Sequence, residues 1–283
     1  MSTSNTAPKS FPDGQRVARS APTGRAGKFF SRAPAILNGL IGIAGALALW
    51  QMILVMGWVD PNLMPGPLTV LGAAVDMAKS GELFVDIGAS VARALSGLVI
   101  GSTIGILFGL LTGRSRVFAQ ILEPLAQLFR SIPAIAFVPL AIIWFGLGEQ
   151  SKLFLISFGV FFPVWINTLM GVKNVRPVYI RAARSIGVSR EQLLRRVVLP
   201  AALPFIITGV RISISIAYIM LAAAEMAGAR VGLGQMIQES YQVFRTDRMI
   251  VGILVLGILG LVSDRLFMAT LRKLFPWYGA DRE

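Results

Sequence analysis

Cysteine and histidine are both absent from this sequence, and each absence excludes a class of chemistry. Without thiols the chain forms no disulfides and has no thiolate nucleophile, and without either residue it lacks the common zinc ligands. Histidine is also the most frequent general base in enzymes. The sequence shows no Walker A motif, no GxSxG motif and no carboxylates placed for catalysis or metal binding. We therefore predict a protein that is not an enzyme and that holds no cofactor or metal ion.

Charged residues are scarce as well: they make up 14% of the 283 residues, whereas soluble domains contain about 25%. Six apolar runs are candidates for helices that cross a hydrocarbon core, which takes ~20 residues each. They occupy residues 35–57, 88–112, 132–145, 153–170, 205–227 and 249–268. The third run is short, and the sequence before it extends it across a proline break. These patterns predict an all-α, polytopic integral membrane protein with six spans.

Lysine and arginine are distributed unequally between the two sides of these spans. The N-terminal region, the loops after the second and fourth spans and the C-terminal end hold 19 of the 27, against five in the other loops. Because basic loops stay on the cytoplasmic side, we predict that both termini are cytoplasmic. The predicted domains are a flexible basic tail (1–34), a membrane domain (35–275) and a short C-terminal tail (276–283).

The second span carries a glycine at every fourth position, which places a strip of glycines along one side of the predicted helix. These residues are Gly97, Gly101, Gly105, Gly109 and Gly113. Small residues at this spacing let another helix approach closely within a membrane. We predict close packing against another helix of the same chain, and a seam between two copies of the chain is the alternative.

Polar residues of the fifth span lie three or four positions apart, so they share one side of the predicted helix. They include Thr208, Arg211, Ser215, Tyr218 and Glu225. A charged side chain near the bilayer centre costs roughly 2.5–3.5 kcal/mol, so it usually faces protein or water. This stripe is a candidate translocation path, in which Arg211 suits a small oxyanion. The alternatives are that Arg211 and Glu225 snorkel to the interfaces, or that Arg211 is a structural partner of Asp264 or of a backbone carbonyl.

The loop between the fourth and fifth spans is both basic and amphipathic. Pro177 suits the first position of a helix, and Gly187 suits the left-handed residue that ends one. Ser189 followed by Gln192 indicates a capping box at the start of a second helix, which we expect Pro200 to end. We predict two short helices joined at a glycine elbow. From periodicity alone, we expect the segment to lie on anionic lipid as an interfacial hairpin.

The spacing within this loop resembles the EAA loop of ATP-binding-cassette (ABC) import permeases. The matching positions are Arg181, Ala182, Ala183, Gly187, Val197, Leu199 and Pro200. Arg181 stands where the family usually has an acidic residue, and Val197 where it usually has isoleucine. In that family the loop forms coupling helices that dock into a cleft on a cytoplasmic ATPase, so the resemblance identifies residues 174–200 as the coupling loop.

The resemblance extends over residues 36–275. Within the family, the sequence is most similar to permeases for sulfonates, taurine, nitrate or bicarbonate. It is carried by "LMPGPLTVLGAAVDM", "RSIPAIAFVPLAIIWFGLG", "GVKNVRPVYIRAARSIGVS" and "AEMAGARVGLGQMI" with "FRTD" after it. It implies a type I importer permease of the bacterial inner membrane that carries a small anion. It also implies a homodimer, two ATPase subunits that bind the ATP, and a substrate-binding protein outside. The rival hypothesis is a secondary transporter driven by an ion gradient, which predicts internal repeats that this sequence lacks.

Overall fold

The computed structural model describes residues 35–275, so the predicted tails 1–34 and 276–283 lie outside the described residues. Within residues 35–275 every regular element is helical. The chain divides into two units, one that ends at Met52 and one that begins at Ile53. Residues 35–52 of helix α1 (Ala35–Val55) are the described part of the first unit, and this helix is apolar and long enough to cross a membrane.

The second unit contains ten helices in its described residues. In chain order they are α2 (Pro67–Ser80), α3 (Glu82–Arg114), α4 (Arg116–Ser131), α5 (Val138–Phe145), α6 (Glu149–Lys173), α7 (Pro177–Ser185), α8 (Arg190–Leu193), α9 (Leu199–Met226), α10 (Leu233–Gln242) and α11 (Thr246–Leu274). A 3-10 turn (Ala134–Phe137) precedes α5, and a π-helical turn (Leu194–Val198) joins α8 to α9.

Helices α3, α6, α9 and α11 are the long apolar helices of the second unit, and each coincides with a predicted span. Each is also longer than its apolar run, because polar residues continue the helix beyond the hydrocarbon core. Helix α3 begins at Glu82 and ends at Arg114, and α6 begins at Glu149 and ends at Lys173. An acid in the first turn and a base in the last turn both interact favourably with the helix dipole.

The third predicted span is not one straight helix. Helix α4 and the segment 134–145 meet at an angle of 88° across a break at Ile132 and Pro133. A proline disfavours a helical conformation in the residue before it, and Ile132 is accordingly extended, with φ −88° and ψ 124°. If the two arms are counted as one broken span, the described residues contain the six spans that the sequence predicts.

Helix α6 lies between α3 and α9 and approaches α3 through the glycine strip. A Cβ atom on Gly101 would lie 2.5 Å from the Ser157 carbonyl oxygen, and one on Gly105 would lie 2.9 Å from the Phe161 carbonyl oxygen. The remaining three glycines of the strip face α6 in the same way: Gly97 meets Ile156, Gly109 meets Thr168 and Gly113 meets Val172. The closely packed partner is therefore a helix of the same chain.

The prediction that Pro200 ends the second loop helix was wrong. The chain continues without interruption from α8 through the π-helical turn into α9, so residues 190–226 form one long helix. In the π-helical turn the Leu199 N–H donates to the Leu194 carbonyl, one residue farther back than in an α-helix. We attribute the tolerance of Pro200 to this wider turn, which accommodates a residue that lacks an N–H.

Candidate functional site

Residues 174–200 contain α7 and the first turns of the long helix that begins at Arg190, and these two arms join at Gly187, as the sequence predicts. Helix α7 begins at Pro177, and Gly187 has a φ of +76°, a conformation that favours glycine. The Ser189 Oγ accepts a hydrogen bond from the Gln192 N–H at 3.2 Å, and the Gln192 Oε1 accepts one from the Ser189 N–H at 3.1 Å. The predicted elbow and capping box are therefore confirmed.

The apolar residues of α7 are only partly buried. Along this arm Ala183 is buried, whereas Tyr179, Ala182 and Ile186 are exposed, with Ile186 at 78%. Exposed apolar side chains that cluster on a basic segment outside the spans are typical of a surface that binds another molecule. Val178 and Ala182 lie four positions apart on one side of α7, and together with Ile186, which directly follows the helix, we call them the outer face of α7.

The residues that carry the resemblance are distributed over both arms. Arg181 and Ala182 are exposed on α7, and Gly187 is exposed at the elbow. On the second arm Val197 and Leu199 are half-buried. Ala183 is buried and Pro200 is exposed. The structure thus brings these residues into one elbow-shaped segment at the end of α6 and the start of α9.

The polar stripe of the fifth span does not stay on one surface. Thr208, Arg211 and Ser215 line a cavity of about 480 Å³ between α9 and α11, together with Asp264. Arg211 and Asp264 form a bidentate ion pair, with Nε–Oδ1 at 2.7 Å and Nη2–Oδ2 at 3.0 Å. The pairing that the sequence offered as an alternative is therefore present. The Arg211 side chain nevertheless remains 48% exposed in the cavity.

Tyr218 and Glu225 lie outside this cavity, which corrects their assignment to a shared surface. The Tyr218 hydroxyl lies 2.8 Å from the Ser263 Oγ, and Glu225 is buried at 1% exposure. The reason is helical geometry: at about 100° per residue, alternating steps of three and four residues rotate Glu225 by about 100° away from Thr208. Polar residues that follow one another at steps of three and four positions therefore wind gradually round the helix.

Glu225 belongs to a buried charged cluster at the other end of the same helices. Its carboxylate accepts hydrogen bonds from the Arg93 Nη1 at 2.7 Å and from the Gly234 N–H at 2.9 Å. The Ser90 Oγ lies 2.9 Å from both of its oxygens. Arg93 also forms a bidentate pair with Glu149, at 2.7 and 2.8 Å. Removal of Arg93 would leave a buried carboxylate without its charge partner, at a cost of about 3–5 kcal/mol.

The cluster also fixes the loop before α10. The Gly232 N–H donates to the Asp86 Oδ1 at 2.8 Å, and the Leu233 N–H donates to the Ser90 Oγ at 2.9 Å. Gly232 has a φ of +136°, and a Cβ there would lie 2.7 Å from the Glu225 Oε2, so the position requires glycine. Helices α3, α6, α9 and α10 are therefore tied together at this end.

Sequence reasoning missed this cluster, although two signals for it are present. Asp86, Ser90 and Arg93 lie four and then three positions apart, which places them on one side of α3. The glycine-rich stretch "GARVGLG" follows Glu225 closely in the sequence. Each arginine or glutamate inside a span needs a partner, but the partner's identity depends on which helices become neighbours.

The two charged regions lie a membrane thickness apart. Arg93 is in the buried cluster, and Arg114 ends α3 beside the 174–200 segment. At about 1.5 Å of rise per residue they lie ~31 Å apart along α3, which matches the ~30 Å of a hydrocarbon core. The long apolar helices of the second unit thus have the length of membrane spans, with charged residues at both ends.

Comparison with known proteins identifies the family of this membrane protein. The model of the family "Binding-protein-dependent transport system inner membrane component" matches residues 86–275. The chain is 36% identical to the putative aliphatic sulfonates transport permease protein SsuC of Bacillus subtilis, over 85% of this chain and 87% of that protein. It is 37% identical to the taurine transport system permease protein TauC of Escherichia coli, over 84% and 88% of the two chains. The bicarbonate transport system permease protein CmpB of Synechococcus elongatus is 34% identical, over 87% and 91%.

Solved structures with the same fold are more distant in sequence. An inward-facing structure of the MetNI methionine ABC transporter aligns with a TM-score of 0.58 at 21% identity, over 68% of this chain and 95% of that one. A chain of an amino acid ABC transporter aligns with a TM-score of 0.55 at 18% identity, over 71% and 96%. These likenesses show the fold, which is that of type I ABC importer permeases. The chain therefore belongs to the family of binding-protein-dependent transport system inner membrane components, the permeases of ABC importers.

Proposed function

We propose that this chain forms the translocation path of an ATP-driven importer for a small anion such as a sulfonate, taurine, nitrate or bicarbonate. Relatives named for aliphatic sulfonates, taurine and bicarbonate support this range of solutes. The chain itself is not an enzyme under this proposal, because ATP is bound and hydrolysed by a partner subunit. A substrate-binding protein on the outer side delivers the solute.

The observation that carries the proposal is the exposed apolar outer face of α7 beside a fixed elbow. Val178 is 47% exposed and Ile186 is 78% exposed, on a segment that also exposes six arginines. A cleft on a cytoplasmic ATPase would bury this face and gain roughly 25 cal/mol per Å² of apolar surface. We therefore assign residues 174–200 as the coupling loop, in the cytoplasm together with both termini.

The uninterrupted helix from Arg190 to Met226 supplies the connection between the ATPase and the path. Its first residues follow the elbow, and Arg211 lies ~31 Å farther along it, at about 1.5 Å per residue. A packed helix moves as a rigid element, so displacement of the elbow by the ATPase also displaces the cavity residues. This is the step that we propose converts ATP hydrolysis into alternating access.

The cavity between α9 and α11 is the proposed path. An exposed arginine within a span faces protein or water and not lipid, so Arg211 indicates that this surface is covered in the assembled transporter. We propose that a second copy of the chain supplies the opposite wall. An anion that enters between the two copies competes with Asp264 for the Arg211 guanidinium. Because of this competition the anion stays bound only briefly.

Uptake in proteoliposomes tests the proposal against a secondary transporter. The chain is reconstituted with its ATPase and binding protein, and uptake of radiolabelled ethanesulfonate, taurine, nitrate and bicarbonate is measured with ATP on the ATPase side. We expect uptake of one of these solutes that needs ATP and the binding protein and survives ionophores that dissipate ion gradients. Uptake that needs no ATP and is abolished by ionophores would establish the rival.

A further inference from the structure

A second cavity, of about 590 Å³, lies between the coupling loop and the ends of the spanning helices. Three arginines line it, one from the end of α3 and two from the loop: Arg114, Arg184 and Arg190. Apolar side chains, among them Val172, Ile180 and Leu194, form the rest of its wall. Within residues 35–275 no acidic side chain lines this cavity.

The cavity lies at the membrane boundary. Arg114 is the last residue of α3, and Val172 is the penultimate residue of α6. Helix α4 starts two residues after Arg114 and exposes apolar side chains such as Phe118 and Ile121. Its Glu123 pairs with Lys173 at the end of α6, at 2.5 Å. Exposed apolar side chains beside charged groups at the end of a span are typical of the level where headgroups meet acyl chains.

We propose that this cavity binds an anionic phospholipid. The three arginines contact the phosphate of its headgroup, for which a guanidinium supplies paired donors, and the apolar wall contacts the upper part of its acyl chains. Basic pockets between spanning helices on the cytoplasmic side recognise anionic headgroups by this chemistry. A free phosphate ion would leave the apolar wall exposed to water, so the lining favours the lipid.

The ATPase is the alternative occupant of the cavity. The geometry of α7 argues against it, because the cavity and the proposed ATPase-binding face lie on different sides of the helix. Ile180 and Arg184 line the cavity, whereas Val178, Ala182 and Ile186 form the outer face. At about 100° per residue, Ile180 and Ala182 lie roughly 160° apart round the helix, so the two surfaces are on opposite sides. The outer face remains available to a protein partner while the inner one holds a lipid.

Native mass spectrometry of the purified full chain, with equal amounts of phosphatidylglycerol and phosphatidylcholine added, tests this site. The triple variant R114Q/R184Q/R190Q removes the cavity arginines, and R181Q/R195Q/R196Q removes the same charge from exposed arginines that do not line it. The unaltered chain should retain phosphatidylglycerol in preference to phosphatidylcholine. We expect the first variant to weaken phosphatidylglycerol binding by on the order of a hundredfold, from about 1 kcal/mol per arginine, and the second to leave it nearly unchanged. Equal weakening in both variants, or equal retention of the two lipids, overturns the proposal.

Phosphatidylglycerol with a photoreactive acyl chain locates the lipid on the unaltered chain, so that the result does not depend on how the variants fold. Cross-links should map to peptides that contain Val172, Ile180 or Leu194, and cross-links confined to other regions contradict the site. Displacement of the lipid by excess inorganic phosphate would identify a free-anion site instead. Displacement by added ATPase subunit would identify the cavity as part of the protein interface.

Discussion

Arg211 has two possible roles that experiment can separate: it binds the transported anion, or it only stabilises the packing of α9 on α11. Its guanidinium pairs with Asp264 through two hydrogen bonds, yet nearly half of its side chain faces the cavity between α9 and α11. If Arg211 only stabilises the helix pair, substituting Arg211 or Asp264 should have the same effect. If Arg211 binds the transported anion, it should keep that role when Asp264 is neutralised.

We predict that Arg211→Gln lowers anion uptake at least about tenfold, the effect of losing a charged hydrogen bond of ~1.5–3 kcal/mol. Asp264→Asn should leave most of the uptake, because the guanidinium stays in place and loses only its competitor. Uptake and basal ATP hydrolysis are measured in reconstituted vesicles with saturating binding protein, and hydrolysis should persist in both variants. Equal losses from the two substitutions, with no further loss in the double variant, would show that the pair is structural.

At the scale of elements, the packing of α3 on α6 depends on the absence of side chains along one strip of α3. Within a membrane, helices associate through close van der Waals contact and not through the hydrophobic effect, so backbone approach is decisive. Gly101 meets the Ser157 carbonyl oxygen, whereas Gly88 on the same helix has no neighbouring atom within 4 Å of its would-be Cβ. These two glycines form a matched pair for testing the interface.

Gly101→Leu should destabilise the protein by about 1–3 kcal/mol or more, because the new side chain has to push α6 away. Gly88→Leu should be neutral or slightly stabilising, since leucine favours a helix by up to about 1 kcal/mol over glycine. Thermal unfolding of the purified chain in detergent, followed by size-exclusion chromatography, compares the two variants. Similar unfolding temperatures for both would show that α3 does not rely on this strip.

The elements that could be predicted from the sequence are those that depend on residues close together in the chain. The Gly187 elbow, the Ser189 capping box and the glycine strip each depend on residues within a few positions of one another. The proline break before the third span was predicted, but its 88° angle and the continuation through Pro200 were not, because a proline is compatible with a kink, a helix end or a π-helical turn. Neighbouring spans decide among these outcomes, and a single sequence does not show which spans become neighbours.

At the scale of the whole molecule, the described helices of the second unit have a basic end and a second charged layer about one membrane thickness away. The partners Arg93, Glu149 and Glu225 come from three helices that are far apart in sequence, so their meeting follows from tertiary packing. The sequence offered the Arg211–Asp264 pairing as one alternative, but it gave no indication that Arg93 pairs with Glu149 and Glu225. The distribution of basic residues, in contrast, is a property of the whole chain and predicts its orientation directly.

Reporter fusions test that orientation. Alkaline phosphatase is active only outside the cytoplasm, so a fusion after Glu82 or Asp247 should be active, and one after Arg190 should be inactive. The expected contrast follows from 19 of the 27 basic residues lying in predicted cytoplasmic regions. Protein levels are compared by immunoblotting as the control. Activity in the fusion after Arg190 would place the coupling loop on the wrong side for an ATPase.

The central claim is that residues 174–200 couple this permease to an ATPase, and Gly187 tests it most directly. Its φ of +76° costs a β-branched residue roughly 1–2 kcal/mol, whereas asparagine adopts this conformation readily. Copurification of the ATPase and ATP-driven uptake are measured for Gly187→Val and Gly187→Asn at equal membrane abundance. We predict that valine weakens ATPase association by about tenfold and lowers uptake with it, and that asparagine preserves both. Full association and uptake in Gly187→Val would contradict the coupling role of the elbow.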